Sequence, residues 1–124
     1  MDTSKKILVV DDSSLMRSFA KGSFKQLKLN NVDEAENGEE ALLKLKKKRY
    51  DLILSDLHMP NMNGLELLKA VRSDSNLKDI PFIIMTLHGK KDLLLEAVKE
   101  GLNDYIIKPV TAGPLGQKLK KVFT

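Results

Sequence analysis

Five short segments of strand-forming residues alternate along the chain with segments whose apolar residues recur at helical spacing. The strand segments cover residues 7–10, 32–35, 52–56, 82–85 and 104–107. This alternation predicts an α/β fold of five βα units, with a parallel sheet and right-handed crossovers. Leu52, Ile53 and Leu54 form an unbroken apolar run, which predicts a strand buried on both faces. The segment from Val32 to Ala35 is less apolar, so we expect it near an edge.

The helical segments are bounded by residues that commonly cap or end helices. A serine at position 13 or 14 can cap the first helix, and the fourth, from about residue 90, stops at Gly101. The last helix begins either after Thr111 or at Gly113-Pro114, and the sequence leaves both starts open. The residues that we expect to face the core are Leu15, Phe19, Phe24, Leu27, Ala41, Leu42, Leu45, Leu65, Leu68, Val71, Leu94, Ala97, Val98, Leu115, Leu119, Val122 and Phe123.

Length, charge and composition exclude several classes of protein. The 124 residues are enough for one domain with a substantial core, and the absence of cysteine excludes disulfides and thiolate metal sites. No apolar stretch approaches the roughly 20 residues of a membrane span, so we expect a soluble, cytoplasmic protein without membrane partners. The net charge is +4, but the lysines lie between leucines at helical spacing and only six residues are aromatic. We therefore interpret them as solvated helix faces rather than as a nucleic-acid site.

Polar side chains stand directly after four of the five predicted strands. They are Asp11 and Asp12, then Asp56, Thr86 and Lys108. The carboxyl ends of parallel strands meet at one edge of a sheet, which is where ligands bind in open α/β folds. Two unit charges about 5 Å apart repel by roughly 3 kcal/mol at an effective dielectric near 20. One lysine cannot neutralise three carboxylates, whereas a hard divalent cation such as Mg²⁺ can.

Each of these residues also has an ordinary structural role. Asp11 or Asp12 could cap the first helix, and Asp56 could belong to the turn before Pro60. Thr86 could simply end a strand, and Lys108 could lie in a loop. Taken together, these local roles do not explain why five polar residues fall on the same edge of four strands. We therefore interpret the set as a site.

Five sequence motifs resemble those of response-regulator receiver domains, and in particular the single-domain regulators of chemotaxis. They are VVDDSS at 9–14, EAENG at 34–38, SDLHMPNMNGLELLK at 55–69, Thr86 and DYIIKP at 104–109, and the similarity extends to the closing KLKKVF. The resemblance covers essentially the whole chain and implies a single receiver domain over residues 1–124. It also implies a flavodoxin-like (βα)5 doubly wound sheet with strand order 2-1-3-4-5.

The resemblance implies a phosphoryl-transfer site at this edge of the sheet. Asp56 would be the phospho-acceptor, attacking a phosphohistidine of a sensor histidine kinase as a carboxylate nucleophile. Asp11, Asp12, Asp56 and the backbone carbonyl of His58 would bind Mg²⁺. Lys108 would supply a second cation beside the phosphoryl group.

The resemblance also implies how the phosphoryl group is read. Thr86 would donate its hydroxyl to a phosphoryl oxygen, and Tyr105 would turn from exposed to buried. The face formed by the fourth helix, fifth strand and fifth helix would then be repacked, as a shift between two pre-existing arrangements. The bond between Lys108 and Pro109 would be cis.

The target implied by the resemblance is the flagellar motor switch. The partner-binding residues would be Lys90, Lys91, Tyr105 and Lys118. A phosphatase is a possible further partner, and we expect a monomer that catalyses only its own phosphorylation and dephosphorylation. Because the chain ends directly after the last helix, we expect output through protein–protein contact.

Several residues near the expected site depart from the family pattern. Leu87 stands after Thr86, where a very small residue is usual, and we expect it to slow both entry of small phosphodonors and loss of the phosphoryl group. His58 and His88 could instead orient the attacking water. Val110 replaces the usual Phe, and Gly113, Pro114 and Gly116 make the start of the last helix atypical.

Other functions compete with a stand-alone chemotaxis switch. The chain could be a phosphate sink or a receiver cut from a longer regulator. A haloacid-dehalogenase-type phosphatase would need an Asp-x-Asp motif at the first strand end, whereas Asp11 and Asp12 are adjacent. A flavin-binding protein would need a Gly- and Thr-rich phosphate loop at the same place, and none is present.

Overall fold

The computed structural model contains a five-stranded sheet in which every neighbouring pair is parallel. It describes residues 2–87 and 91–123, apart from the side chain of Lys91. The strands are β1 (Ile7–Val10), β2 (Val32–Ala35), β3 (Leu52–Asp56), β4 (Phe82–Thr86) and β5 (Asp104–Ile107). Their order is β2-β1-β3-β4-β5, which confirms the flavodoxin-like arrangement and the edge position of β2.

One helix follows each strand. The helices are α1 (Ser14–Gln26), α2 (Gly38–Lys47), α3 (Gly64–Ser73), α4 (Lys91–Lys99) and α5 (Ala112–Val122). Ser13 caps α1 through its side chain, and Thr111 is the residue that precedes α5. The last helix therefore has the earlier of its two predicted starts, with Gly113 and Pro114 in its first turn, where a missing N–H costs little. Lys108–Pro109 is cis, as the resemblance implied.

The core has two apolar layers, one on each face of the sheet. Because successive strand side chains point to opposite faces, Leu8 and Val10 pack into the layer under α2, α3 and α4. Ile7 and Val9 pack into the layer under α1 and α5. The layers are completed by buried helix residues such as Leu68 on one side and Leu119 on the other. Both faces of the central strands are buried, as predicted.

The predicted core face of α1 is wrong in its first half. Leu15 is 59% exposed and Phe19 is 46% exposed, whereas Ala20, Ser23 and Phe24 are buried. At 100° per residue, the small side chains of Ala20 and Ser23 lie on the same stripe as Phe24, and Leu15 and Phe19 lie well to one side of it. The prediction followed the largest apolar residues, but the small residues of this helix face the sheet.

One inward residue of α4 is also corrected. Val98 is 59% exposed, whereas Ala97 is buried and Leu94 packs against the core together with Leu93. Val98 lies about 100° around the helix from Ala97 and therefore faces away from the sheet. The helix ends as predicted at Gly101, which has a φ of 96°. His88 and Lys90, for which roles were predicted, lie outside the described residues.

Candidate functional site

The polar residues at the strand ends are brought to one edge of the sheet. Asp11 follows β1, Asp56 and Thr86 end β3 and β4, and Lys108 follows β5. These four strands are neighbours, and Val10 pairs with Ser55, which sets Asp11 level with Asp56. The convergence predicted from the sequence is therefore confirmed for the acidic residues and the lysine.

Three carboxylates form the centre of the site. Asp11, Asp12 and Asp56 each offer an oxygen atom, and these atoms all lie within 4.8 Å of one another. Asp11 is fully buried and Asp56 is 7% exposed, whereas Asp12 is exposed. Close, partly buried carboxylates repel one another strongly because little water screens them. The cluster needs positive charge to remain ionised.

Lys108 supplies part of that charge. Its Nζ lies 2.8 Å from Asp11 Oδ2 and 3.2 Å from Asp56 Oδ1, and its side chain is only 9% exposed. Burial alone would lower the pKa of Lys108, but pairing with the two carboxylates raises it above the ordinary value. The ammonium therefore stays charged at neutral pH and bridges the two buried acids.

Asp56 remains destabilised as an anion in spite of this pair. Burial and the neighbouring carboxylate of Asp11 raise its pKa, although Lys108 and a hydrogen bond from the Leu57 N–H act in the opposite direction. That N–H donates to Asp56 Oδ1 over 2.8 Å. Residues with shifted pKa values in such settings are common at functional sites. One more cation would favour the ionised form.

The acidic cluster fits a hard metal ion. Asp11 Oδ1 accepts the Ser13 N–H over 2.9 Å. Asp11 Oδ2 is buried and makes no well-aligned hydrogen bond within the described part of the chain, although Lys108 Nζ is close. Three carboxylate oxygens without sulfur or imidazole are the donor set that Mg²⁺ prefers. Asp11, Asp12 and Asp56 are therefore the residues that could hold such an ion.

Two residues that position the acids were not singled out by the sequence. Arg17 donates from Nη1 to the backbone carbonyl of Asp11 over 2.6 Å, and its Nε pairs with Glu34 Oε1 at 2.9 Å. Gly64 lies so close to the loop after β3 that a Cβ there would be 2.3 Å from Asp56 O. Gly64 was predicted only as a turn former, and the acceptor of Arg17 is a backbone atom. Both residues contact backbone atoms, so no pattern of side chains in the sequence indicates either role.

Thr86 and His58 lie at the border of the site. Thr86 is 1% exposed, and its hydroxyl donates to the carbonyl of Leu87 over 2.7 Å. It therefore engages the backbone rather than a carboxylate here. The His58 side chain is exposed in the loop between β3 and α3, and the role of its carbonyl as a ligand stays a prediction. Leu87 is 64% exposed beside Thr86.

The predicted partner face is only partly described. Tyr105 is 44% exposed, and its role as a switch residue stays a prediction. Lys118 Nζ lies 2.9 Å from Asp104 Oδ1 and 5.3 Å from the centre of the Tyr105 ring. Its side chain is 28% exposed, so it is held against the strand rather than free in solvent. Ile107 was not predicted on this surface, yet it is 44% exposed.

Within residues 2–87 and 91–123, no helix has both the length and the apolar composition that crossing a bilayer requires. The longest helix, α1, has 13 residues.

Comparisons with known proteins agree with one another. A family model described as the response regulator receiver domain matches residues 7–120. The chain is 42% identical over 123 residues to the chemotaxis protein CheY-3 of Vibrio cholerae, which covers 99% of this chain and 95% of that protein. It is also 42% identical over 118 residues to the chemotaxis protein CheY of Pseudomonas aeruginosa, with 95% of each chain covered.

Solved structures show the same similarity. The chemotaxis response regulator CheY4 of Vibrio cholerae superposes with a TM-score of 0.86 at 34% sequence identity. The superposition covers 96% of this chain and 98% of that chain.

Proposed function

Because this chain belongs to the response regulator receiver domain family, we propose that it is a switch activated by phosphorylation of Asp56. Members of the family, including the CheY proteins, are two-component signalling switches rather than classical enzymes. The phosphoryl donor would be a phosphohistidine of a sensor histidine kinase. The family membership gives the signalling role, and we infer which residue accepts the phosphoryl group and which target is bound.

The observation that carries the proposal is the setting of Asp56. Its carboxylate is nearly buried at a strand end, with Lys108 Nζ 3.2 Å from Oδ1 and Asp11 close by. A nucleophilic carboxylate must be ionised and reachable, and the incoming phosphoryl oxygens must meet positive charge. Asp11 is fully buried and paired with Lys108, while Asp12 is exposed. Asp56 is therefore the best candidate of the three.

The transfer would exchange one bond for another. An oxygen of Asp56 forms a bond to phosphorus while the bond from phosphorus to the imidazole nitrogen of the donor breaks, and the imidazole takes a proton from solvent. The product is an acyl phosphate on Asp56. Lys108 stays protonated throughout and interacts with the phosphoryl oxygens, because the two carboxylates raise its pKa.

Receiver domains typically bind Mg²⁺ at an acidic pocket, and the three aspartates here fit that role. Asp11, Asp12 and Asp56 would hold the ion, with the carbonyl of His58 as a further ligand. Bound there, Mg²⁺ would neutralise charge on the transferring phosphoryl group. Without it, Lys108 alone faces the three carboxylates and the incoming phosphoryl group.

Phosphorylation would change the hydrogen bond of Thr86. A phosphoryl group adds nearly two negative charges and three acceptor oxygens. The Thr86 hydroxyl now donates to the neutral carbonyl of Leu87, and an anionic oxygen is the stronger acceptor. Movement of Thr86 toward Asp56 would favour an arrangement in which Tyr105, now 44% exposed, is buried.

The proposed output is binding of the flagellar motor switch. The relatives CheY-3 and CheY are chemotaxis proteins. The face around Tyr105 and Lys118 would be the contact surface. The side chains of Leu95, Val98 and Ile107 give this surface an apolar component. A target that fits this surface only when Tyr105 is turned inward would bind the phosphorylated form more tightly.

The test is phosphorylation by acetyl phosphate in the presence of Mg²⁺, read by mass spectrometry of the intact protein. We expect one hydroxylamine-sensitive phosphoryl adduct on the wild type and none on Asp56→Asn. Asp51→Asn, a partly exposed aspartate at the opposite end of β3, is the control and should be labelled like the wild type. A full adduct on Asp56→Asn would disprove the assignment. Phosphotransfer from purified sensor kinases then identifies the donor.

A further inference from the structure

A groove of about 610 Å³ lies at the end of the sheet opposite to the acidic site. Its walls come from the end of α2, the loop between α3 and β4, the end of α5 and the segment before β1. The strands begin at this end, whereas the carboxylates lie where the strands finish. The groove therefore shares no residue with the phosphoryl-transfer site.

The rim of the groove is strongly basic. Two carboxylates line it, those of Asp51 and Asp79. Asp51 already accepts a backbone hydrogen bond from the Lys6 N–H over 2.8 Å. Five cationic residues also line the groove: Lys5, Lys46, Lys47, Lys48 and Arg49. Among the residues that the structure describes, Lys48 is ion-paired, to Asp33 at 3.0 Å, whereas Lys46, Lys47 and Arg49 have no ion-pair partner.

Helix electrostatics account for only part of this rim. Lys46 and Lys47 lie in the last turn of α2, where cations favourably meet the partial negative charge of the helix end. Arg49 lies beyond the helix, and Lys5 comes from the segment before β1. Their convergence on one groove is not required by the stability of α2.

The floor of the groove is apolar. Leu45 and Leu77 are buried there, and Ile80 and Phe123 are partly exposed. The Nζ atom of Lys5 lies 5.1 Å from the centre of the Phe123 ring. A ligand that filled this groove would thus meet hydrocarbon below and cations around it.

We propose that the groove binds an acidic peptide segment of a partner protein, with an apolar side chain on the floor and carboxylates against the rim. Complementary charge of this kind steers association and fixes orientation. A nucleic acid fits less well, because binding of unpaired bases relies on stacking. Tyr50 is only 4% exposed, and the ring of Phe123 is approached by Lys5.

The proposed binding does not depend on phosphorylation. The groove lies at the far end of the strands from Asp56, and its charges and apolar floor exist in the unphosphorylated chain. The surface would tether the protein to a partner in both signalling states, while the face around Tyr105 responds to the signal. Failure of either proposal would therefore leave the other standing.

The probe is a fluorescein-labelled, glutamate-rich peptide with two central leucines, titrated with the intact protein at low and at physiological salt. A peptide with serines in place of the leucines tests the apolar floor, and a labelled oligothymidylate tests nucleic acid. The protein variant Lys46→Glu/Lys47→Glu/Arg49→Glu reverses the rim. The matched control, Lys25→Glu/Lys28→Glu/Lys99→Glu, removes the same charge from exposed sites elsewhere. Thermal unfolding verifies that both variants are folded.

We expect the rim variant to weaken peptide binding roughly tenfold or more, and the control to weaken it by less than about threefold. Replacing the leucines by serines should also weaken binding. Amide shifts on titration should map to residues 46–51, 77–80 and 123. Undetectable peptide binding, equal losses in both variants, indifference to the leucines, shifts outside the groove or tighter binding of the oligothymidylate would each overturn the proposal.

Discussion

At the scale of single residues, the charge on Asp56 opposes folding even though the proposed function needs it. The raised pKa means that burial and the charge of Asp11 destabilise the ionised carboxylate by more than Lys108 stabilises it. Asp56→Asn keeps the acceptor for the Leu57 N–H and removes the charge. We expect it to abolish phosphorylation and to raise the free energy of unfolding at neutral pH by about 1 kcal/mol. Urea unfolding of the wild type and the variant measures the difference.

The same residue fixes the sign of a pH effect. A carboxyl whose folded-state pKa is raised destabilises the fold most when the pH lies above that pKa. The penalty shrinks as the pH falls through the raised folded pKa and is absent below the ordinary value of 3.8. The advantage of Asp56→Asn should therefore decrease as the pH is lowered from neutral toward 3.8. If the difference in unfolding free energy between Asp56→Asn and the wild type grew on acidification, the raised pKa of Asp56 would be contradicted.

Truncation of Leu87 should change the lifetime of the phosphoryl group with little change in stability. Leu87 is 64% exposed beside Thr86, so truncation should change the free energy of unfolding by less than about 0.5 kcal/mol. We expect Leu87→Ala to lose its phosphoryl group several-fold faster than the wild type, because water reaches the site more easily. Leu43→Ala, equally exposed at 61% on α2, is the control. Equal decay of all three proteins, followed after removal of the phosphodonor, would refute a steric role.

At the scale of secondary-structure elements, Gly64 determines how α3 begins beside the site. A Cβ at this position would lie 2.3 Å from the Asp56 carbonyl oxygen, a backbone atom that cannot move without moving the site. Gly64→Ala should lower the free energy of unfolding by about 1–3 kcal/mol and slow phosphorylation. Gly22→Ala in α1, where no atom lies within 4 Å of a Cβ, should instead stabilise the protein by about 0.5–1 kcal/mol. Thermal unfolding and acetyl phosphate labelling test both.

Arg72 ties two connecting segments of the chain to α3. From α3 it donates to the carbonyls of Gly101, Lys78 and Ile80, over 3.0, 2.9 and 2.7 Å, and to Asn103 Oδ1 over 2.9 Å. Asn103 Oδ1 in turn accepts the N–H of Phe82, at the start of β4. This one side chain therefore links α3 to the segment before β4 and to the segment between α4 and β5.

Loss of this fork should be costly. Arg72→Leu leaves several acceptors without donors, and we expect a loss of about 2–3 kcal/mol in the free energy of unfolding. Arg72→Lys cannot reproduce a planar fork and should recover little of it. Lys69→Leu, one turn earlier on α3, removes only an exposed ion pair to Glu96 at 3.9 Å and should cost less than about 0.5 kcal/mol. Similar losses in Arg72→Leu and Lys69→Leu would contradict the role assigned to Arg72.

The elements differ in how far the sequence determines them. The apolar runs of the strands and the acids and lysine that follow them were predictable, because buried strands need uninterrupted apolar side chains and parallel strands finish at one edge. The first half of the α1 face was not, because the small Ala20 faces the core while the larger Leu15 does not. On α4, Leu94 and Ala97 were predicted correctly and Val98 was not. The acceptors of Arg72 are mostly backbone carbonyls, which any sequence provides.

At the scale of the whole molecule, bound Mg²⁺ should stabilise the fold by relieving repulsion in the acidic cluster. At a concentration ten times the dissociation constant, the gain is about 1.4 kcal/mol. We expect the unfolding temperature to rise with Mg²⁺ for the wild type and much less for Asp12→Asn, whose carboxylate is exposed and contributes little to packing. Asp79→Asn, an exposed loop aspartate, should respond like the wild type. A rise that is the same in all three would mean that the ion binds elsewhere.

The parallel sheet separates opposite charges along its strands, and this makes the molecule an electric dipole. Among the described residues of these two sites, three carboxylates and one lysine lie at one end, and five cationic residues and two acidic ones line the groove at the other. When such a molecule approaches a charged surface, the electric field orients it before contact, over distances of about 8–10 Å at physiological salt. A phosphoryl group on Asp56 would increase the dipole moment, because it adds negative charge at the acidic end, and Mg²⁺ would decrease it. Phosphorylation at one end of the sheet would thereby change how the molecule is oriented as it approaches a charged partner, while the contacts made in the groove stay the same.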